Sequence, residues 1–363
     1  MFVYFTLALL VPLTYLLFRR NGKRDDIVLI SILGIMFVLL CLRNPHGFLD
    51  LPTYEDILNE TRGLSFMELV RGTRFLHYHT RVYGESGYIW LNWILSHIGA
   101  NINVLLCVHA AFVCLSLFFF IRRHSLSPAF SLFFYLCIGG LTDHTYILRQ
   151  SFAFAILLFA FTAVIDRKPF RFILLVLLAT WFHRTALSFA VVYPLSYLKF
   201  TRKTAIGAVV VSLSMLGVVP VLMKTVIPWI LGILGKQGYV NNMTDFKEMI
   251  IVLVGLLGFV IAITDFTHET TLENSLSFWL SCLALLFMSV SVYLEIMARV
   301  GMSMYLPFAM IMLPNFMVRN RNRALMNKFG IAIYLALFAY LVFIVITTPY
   351  WYSFVWEPAA AAV

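Results

Sequence analysis

The sequence predicts an all-α polytopic membrane protein of about 12 transmembrane segments, two of which form a short or re-entrant pair. Three observations carry this reading. Apolar residues make up 61% of the 363-residue chain and charged residues 12%, against about 45–50% and 25% in soluble domains. The mean hydropathy is +0.90. Of the 27 Lys and Arg, 16 fall in short polar segments that alternate with apolar runs, the arrangement that orients helices in a bilayer.

In chain order the spans read as 2–18, 27–42, 102–121, 127–141, 147–165, 172–182, 185–198, 204–222, 248–265, 275–293, 297–317 and 329–347. A crossing needs about 20 apolar residues, so the sixth and seventh are short. The first run lacks a basic leader and is followed by Arg19, Arg20, Lys23 and Arg24. That reverses the order of a signal peptide and is expected to leave the N-terminus outside. The other basic turns on that inner side are Arg122-Arg123, 167–171, 199–203 and 319–328, with the uncharged-by-lysine loop 267–274 between them. Reading 172–198 as one span would move two of these basic turns outside, against the positive-inside rule. Two crossings or a re-entrant pair keep the parity, and both termini then lie outside.

The whole chain, 1–363, reads as one integral membrane domain. Two outer segments are long. The first, 43–101, holds six acids, Asp50, Glu55, Asp56, Glu60, Glu68 and Glu85, and is too long for a plain connector. Within it, Ser86 to Ile98 reads as an interfacial helix too short to span. The second, 223–247, has Pro228, three glycines and Tyr239, and reads either as a lid in contact with substrate or as a loose connector. Aromatic residues at Tyr350, Trp351, Tyr352 and Trp356 fit an interfacial belt.

The net charge of +10 is explained by this topology and gives no reason to expect a nucleic-acid partner. All five cysteines lie in apolar segments and read as small core residues rather than a disulfide or metal framework. No Walker loop, G-x-S-x-G or His/Cys/Asp cluster is present, so neither a metal nor a cofactor is expected.

The groups able to do chemistry all fall on the predicted outer side. Arg43, Asp50 and Tyr54 follow the second span, Glu85 precedes Gly87-Tyr88, and Arg149-Gln150 opens the fifth span. His183-Arg184 separates the short pair, and Glu295 and Arg299 open the eleventh span. Arg43, Arg149, Arg184 and Arg299 suit a pyrophosphate, because guanidinium forks bind phosphate in pairs of hydrogen bonds and stay charged beside lipid. Each alone is also compatible with a lipid-headgroup contact, and Glu295 and Arg299, four apart on a helix, can pair with each other. His183 suits a general base toward a sugar hydroxyl, histidine being the side chain whose unperturbed pKa lies near physiological pH, with a hydrogen-bonded structural role equally open. Asp50 and Glu85 are rival bases. Tyr54, Tyr88, Gln150, Glu295 and Tyr239 complete the candidates, as substrate contacts.

Taken together, these residues resemble the EpsG-like, Wzy-type family of polysaccharide polymerases. The resemblance rests on Leu42-Arg43, Asp50 with Tyr54, Glu85-Ser86-Gly87-Tyr88, Leu148-Arg149-Gln150-Ser151-Phe152-Ala153, the stretch Ala179 to Leu187 around His183, and Arg299 with Tyr305. It covers nearly the whole chain. Two departures are Gly47-Phe48-Leu49-Asp50 after the first arginine, and an arginine directly after His183. The resemblance implies a metal-independent glycosyltransferase with a GT-C-like fold in the bacterial plasma membrane. Its donor and acceptor would be undecaprenyl-pyrophosphate-linked oligosaccharides, joined on the outer face into O-antigen, capsule or exopolysaccharide, with a chain-length regulator and a flippase as protein partners. A glycan ligase shares the same residue types. A flippase would need charged groups along the whole depth of the bilayer.

Overall fold

A computed structural model of the protein describes residues 24–46, 50–71, 85–233, 271–291, 295–319 and 353–356, with scattered positions besides. Among the described residues the regular secondary structure is helical, with one isolated bridge, Arg43 to Phe354. The helices are α1 (Arg24–Cys41), α2 (Leu51–Arg62), α3 (Phe66–Arg71), α4 (Ser86–His97), α5 (Ile102–His124), α6 (Pro128–Cys137), α7 (Gly140–Tyr146), α8 (Leu148–Ile165) and α9 (Pro169–Phe182). A 3-10 segment (Arg184–Val191) and α10 (Val192–Leu195) follow. Then come α11 (Arg202–Ile233), α12 (Leu272–Ser291), α13 (Glu295–Val300), a π-helical turn (Gly301–Tyr305) and α14 (Leu306–Arg319).

Helix ends follow local chemistry. Asn101 caps α5 by accepting the Val104 N–H at 3.1 Å, and Arg122, Arg123 and His124 fill its last turn, where cations complement the helix dipole. Proline opens α6 and α9, a position where its missing N–H costs nothing. Gly139, at φ +93°, breaks the apolar run expected at 127–141 into α6 and α7, since that conformation strains residues with a Cβ.

Three helices, α5, α8 and α12, are long and apolar enough to cross a membrane; residues 26–41, α6 and α9 are shorter apolar helices. This is a helical, multi-pass membrane protein. The spans expected at 2–18, 248–265 and 329–347 lie mainly or wholly outside the described residues, as do Tyr239 and the Tyr350–Tyr352 aromatics. Helix α11 runs on to Ile233, so the first part of the segment expected as an outer loop at 223–247 is helical.

The pair 172–182 and 185–198 forms a hairpin. Helix α9 stops at His183, whose extended backbone (φ −153°, ψ 122°) starts the return through the 3-10 segment. At the foot, the Arg167 guanidinium donates to the Ser196 hydroxyl (2.7 Å) and carbonyl (3.1 Å) and sits 4.6 Å from the Tyr197 ring centroid. Phe172 and Tyr193 meet about one turn above the foot, 5.1 Å apart. Arg167 holds a left-handed φ of 55°, an uncommon state for a residue with a side chain; its three contacts across the foot hold it there.

Two ends of the bundle are thereby distinguished. One gathers Arg122 with Asp26, Arg123 with Asp166, and His124 with Thr162 and Glu273. Asn315 joins this end by bonding the His124 carbonyl (2.6 Å) and the Leu126 N–H (2.6 Å). The opposite end holds the C-terminus of α1, the N-termini of α5 and α8, and the hairpin apex. The described parts of 43–101, residues 50–71 and 85–101, pack against each other at that end. The Trp93 indole donates to the Leu64 carbonyl (2.9 Å), and Arg62 to the Ala100 carbonyl (3.0 Å).

Candidate active site

At the apex end, one carboxylate gathers three distant stretches of sequence. Glu85 immediately precedes α4 and is 6% exposed. Its Oε2 accepts a hydrogen bond from Nη1 of Arg149 at 2.5 Å, on the first turn of α8. Its Oε1 lies 2.7 Å from Nδ1 of His183 and accepts the backbone N–H of Arg184 at 3.3 Å. The His183 contact is an ion-pair distance rather than an aligned hydrogen bond, and Nε2 of His183 is buried without a hydrogen-bond partner among the described residues.

The close approach behind this convergence depends on Gly87. A Cβ there would lie 2.9–3.0 Å from the Trp181 ring and 3.0 Å from its carbonyl oxygen. The first turn of α4 therefore rests directly on the last turn of α9, which brings Glu85 to His183. Burial pushes the Glu85 carboxyl upward, but the close contact and charge of His183 and the charge of Arg149 outweigh it and hold it below its ordinary value of 4.5. Glu85 is therefore a carboxylate near neutral pH.

Around this hub the other candidates fall as follows. Arg149 also lies over the Tyr54 ring, 5.8 Å from its centroid. Tyr54 is buried and packs edge-on against Tyr88 at 5.5 Å. Burial pushes both phenols above their ordinary value, so they are neutral hydroxyls. Gln150 is 2% exposed and donates to the Arg299 carbonyl at 2.9 Å, which places α13 beside the start of α8. Arg184 and Arg299 are both exposed. Glu295 is the first residue of α13. The hydroxyl of Tyr305, at the end of the π-helical turn, donates to the Ser188 carbonyl at 2.7 Å. Arg149, His183, Arg184 and Arg299 thus cluster with Glu85, Tyr54 and Gln150.

Two candidates lie differently. Asp50 is exposed at the N-terminus of α2 and makes no capping hydrogen bond with its side chain. Arg43 is 0% exposed; its guanidinium donates to the Leu40 carbonyl at 2.5 Å and lies 3.3 Å from Nδ1 of His109. The segment containing Ser353 and Val355 covers it, through the Asn44 N–H to the Ser353 carbonyl (2.8 Å) and the Val355 N–H to the Leu42 carbonyl (2.8 Å). Beside it, His144 bonds Tyr135 through Nε2 and Ser151 through Nδ1 (2.7 Å). His109 and His144 escaped the sequence reading; their signal is a histidine inside or beside an apolar run. Among the described residues no three His, Cys, Asp or Glu are grouped to hold a metal.

The site can orient a histidine with one carboxylate and present arginines to an anion. Fold and site together define a multi-pass helical membrane protein with an ion-paired histidine at one end of its bundle. The chain belongs to the EpsG family, a Wzy-like polysaccharide polymerase family, whose match extends over residues 1–355. No curated protein and no solved structure matches the chain.

Proposed function

We propose that this protein polymerises polysaccharide from undecaprenyl-pyrophosphate-linked oligosaccharide repeats on the outer face of the bacterial plasma membrane. The observation that carries the reading is the Glu85 carboxylate shared by His183 and Arg149, in a chain of a polysaccharide polymerase family. The acceptor hydroxyl gives its proton to Nε2 of His183. Glu85 fixes the ring through Nδ1 and stabilises the imidazolium that forms. The acceptor oxygen bonds the anomeric carbon of the growing glycan. The bond from that carbon to the pyrophosphate oxygen breaks, and its electron pair leaves with the pyrophosphate. Exposed Arg184 and Arg299 stabilise that leaving charge, while Arg149 holds Glu85 in place. Basic turns at the opposite end of the bundle support an outward-facing site.

The test is deletion of the gene for this protein in its own bacterium followed by its resupply, with glycan length read on a gel. Restored long-chain glycan supports the reading. Single-repeat product despite normal protein levels in the membrane contradicts it, and long polymer already present but left unattached without the protein would make it a ligase.

A further inference from the structure

The hairpin's return strand carries two polar side chains that the mechanism above does not use. Thr185 and Ser188 are three apart on the 3-10 segment, whose three-residue turn puts them on one face. The other two faces have evident roles. Ala186 and Phe189 are buried, with Phe189 stacked on Tyr305 at 6.2 Å. Arg184, Leu187 and Ala190 are exposed. The face of Thr185 and Ser188 lies between these two and is half-buried.

Both hydroxyl oxygens are shut off from solvent, and neither has a hydrogen-bond partner among the described residues. Several hydroxyls on the described helices, among them Thr180, Ser281 and Ser289, bond back to a carbonyl one turn earlier. Thr185 and Ser188 do not. Nε2 of His183 and Nε of Arg149 are also buried without a partner among the described residues. Buried polar atoms in folded proteins are nearly always satisfied, and a group left open at one place marks where another molecule completes it.

The chemistry of the group selects the ligand. Thr185 and Ser188 offer hydroxyl donors, Arg149 an N–H, and His183 an N–H once it has accepted a proton. Arg184 begins the same segment. Tyr305, which bonds the Ser188 carbonyl, closes the π-helical turn that follows the helix of Arg299. Donors flanked by two exposed arginines suit an anion with several oxygens. We infer that Thr185 and Ser188 bind the pyrophosphate of the lipid-linked substrate, donating to its non-bridging oxygens between Arg184 and Arg299. This inference rests on the function proposed above.

The test uses the full chain purified in detergent, with farnesyl pyrophosphate as a soluble probe and farnesol as the phosphate-free control. The Thr185→Val, Ser188→Ala double variant is expected to bind farnesyl pyrophosphate about tenfold more weakly, and Thr185→Ser to bind as wild type. Farnesol should not distinguish them. The double variant should melt no lower than wild type, because it removes hydroxyls that have no internal partner; a clear drop would indicate an internal structural bond and overturn the assignment. Wild-type affinity in the double variant, alongside lost affinity in Arg299→Ala, overturns it while leaving the proposed function standing. So does unchanged farnesyl pyrophosphate binding with a raised KM for the lipid-linked repeat, which would turn the hydroxyls toward sugar. A wild-type protein that binds no farnesyl pyrophosphate removes this inference and the pyrophosphate reading together.

Discussion

Nδ1 of His183 sits 2.7 Å from Oε1 of Glu85, although 98 positions of chain separate the two. One nitrogen of the imidazole is therefore occupied by a buried carboxylate and the other is left to exchange a proton. Replacing Glu85 by Gln keeps the volume and removes the charge. We expect polymerisation to fall about 100-fold or more, as it should for His183→Ala. The double variant should be little worse than either single one, because the two residues act as a unit. Turnover by purified protein checks this, and additive losses would separate the pair.

The pH response follows from the depressed Glu85 carboxyl. Its ordinary value is 4.5 and its folded value is lower. The stability it contributes is thus fully present above about pH 4.5 and is lost as pH falls through the folded value. Melting temperature in detergent should drop on acidification below that point in the wild type. In Glu85→Gln the drop should be smaller, and an identical drop in both would place the acid sensitivity elsewhere.

Gly87→Ala puts a methyl group 2.9–3.0 Å from the Trp181 ring. Overpacking of this kind costs about 1–3 kcal/mol, and the strain here would move Glu85 off His183. Both stability and activity should fall. Adding Trp181→Leu to make room should recover stability, which thermal melting of the single and double variants will show.

How far the sequence carried the structure depends on the residue. Charge alternation favoured two crossings or a re-entrant pair at 172–198 over a single crossing, and the Arg167–Ser196 contact forms the foot of the hairpin found there. The common location of Arg149, His183 and Arg184 was legible for the same reason. Glu85 as their hub was not. Six acids in 43–101 look alike in sequence, and only the Gly87 contact with Trp181 selects one. Arg43 shows the opposite limit, since its full burial depends on residues 353–356 crossing over it. The 3-10 and π-helical turns have no periodic signature of their own, so the Thr185 and Ser188 face emerges only from coordinates.

The hairpin itself is open to labelling. Single cysteines replacing Lys168 and Lys199, both exposed, should react with a membrane-impermeant maleimide from one side of the membrane. A cysteine replacing Arg184 should react from the other. Reaction of positions 168 and 199 from opposite sides would mean a single crossing and would dismantle the site's geometry.

We propose His183, held by Glu85 among the arginines, as the working group of a polysaccharide polymerase. Its most direct test is reconstitution of purified protein in liposomes with a lipid-linked oligosaccharide repeat, comparing wild type with His183→Ala. The wild type is expected to give a ladder of lengthening glycan, and a variant that remains folded and inserted none. A full ladder from His183→Ala would contradict it.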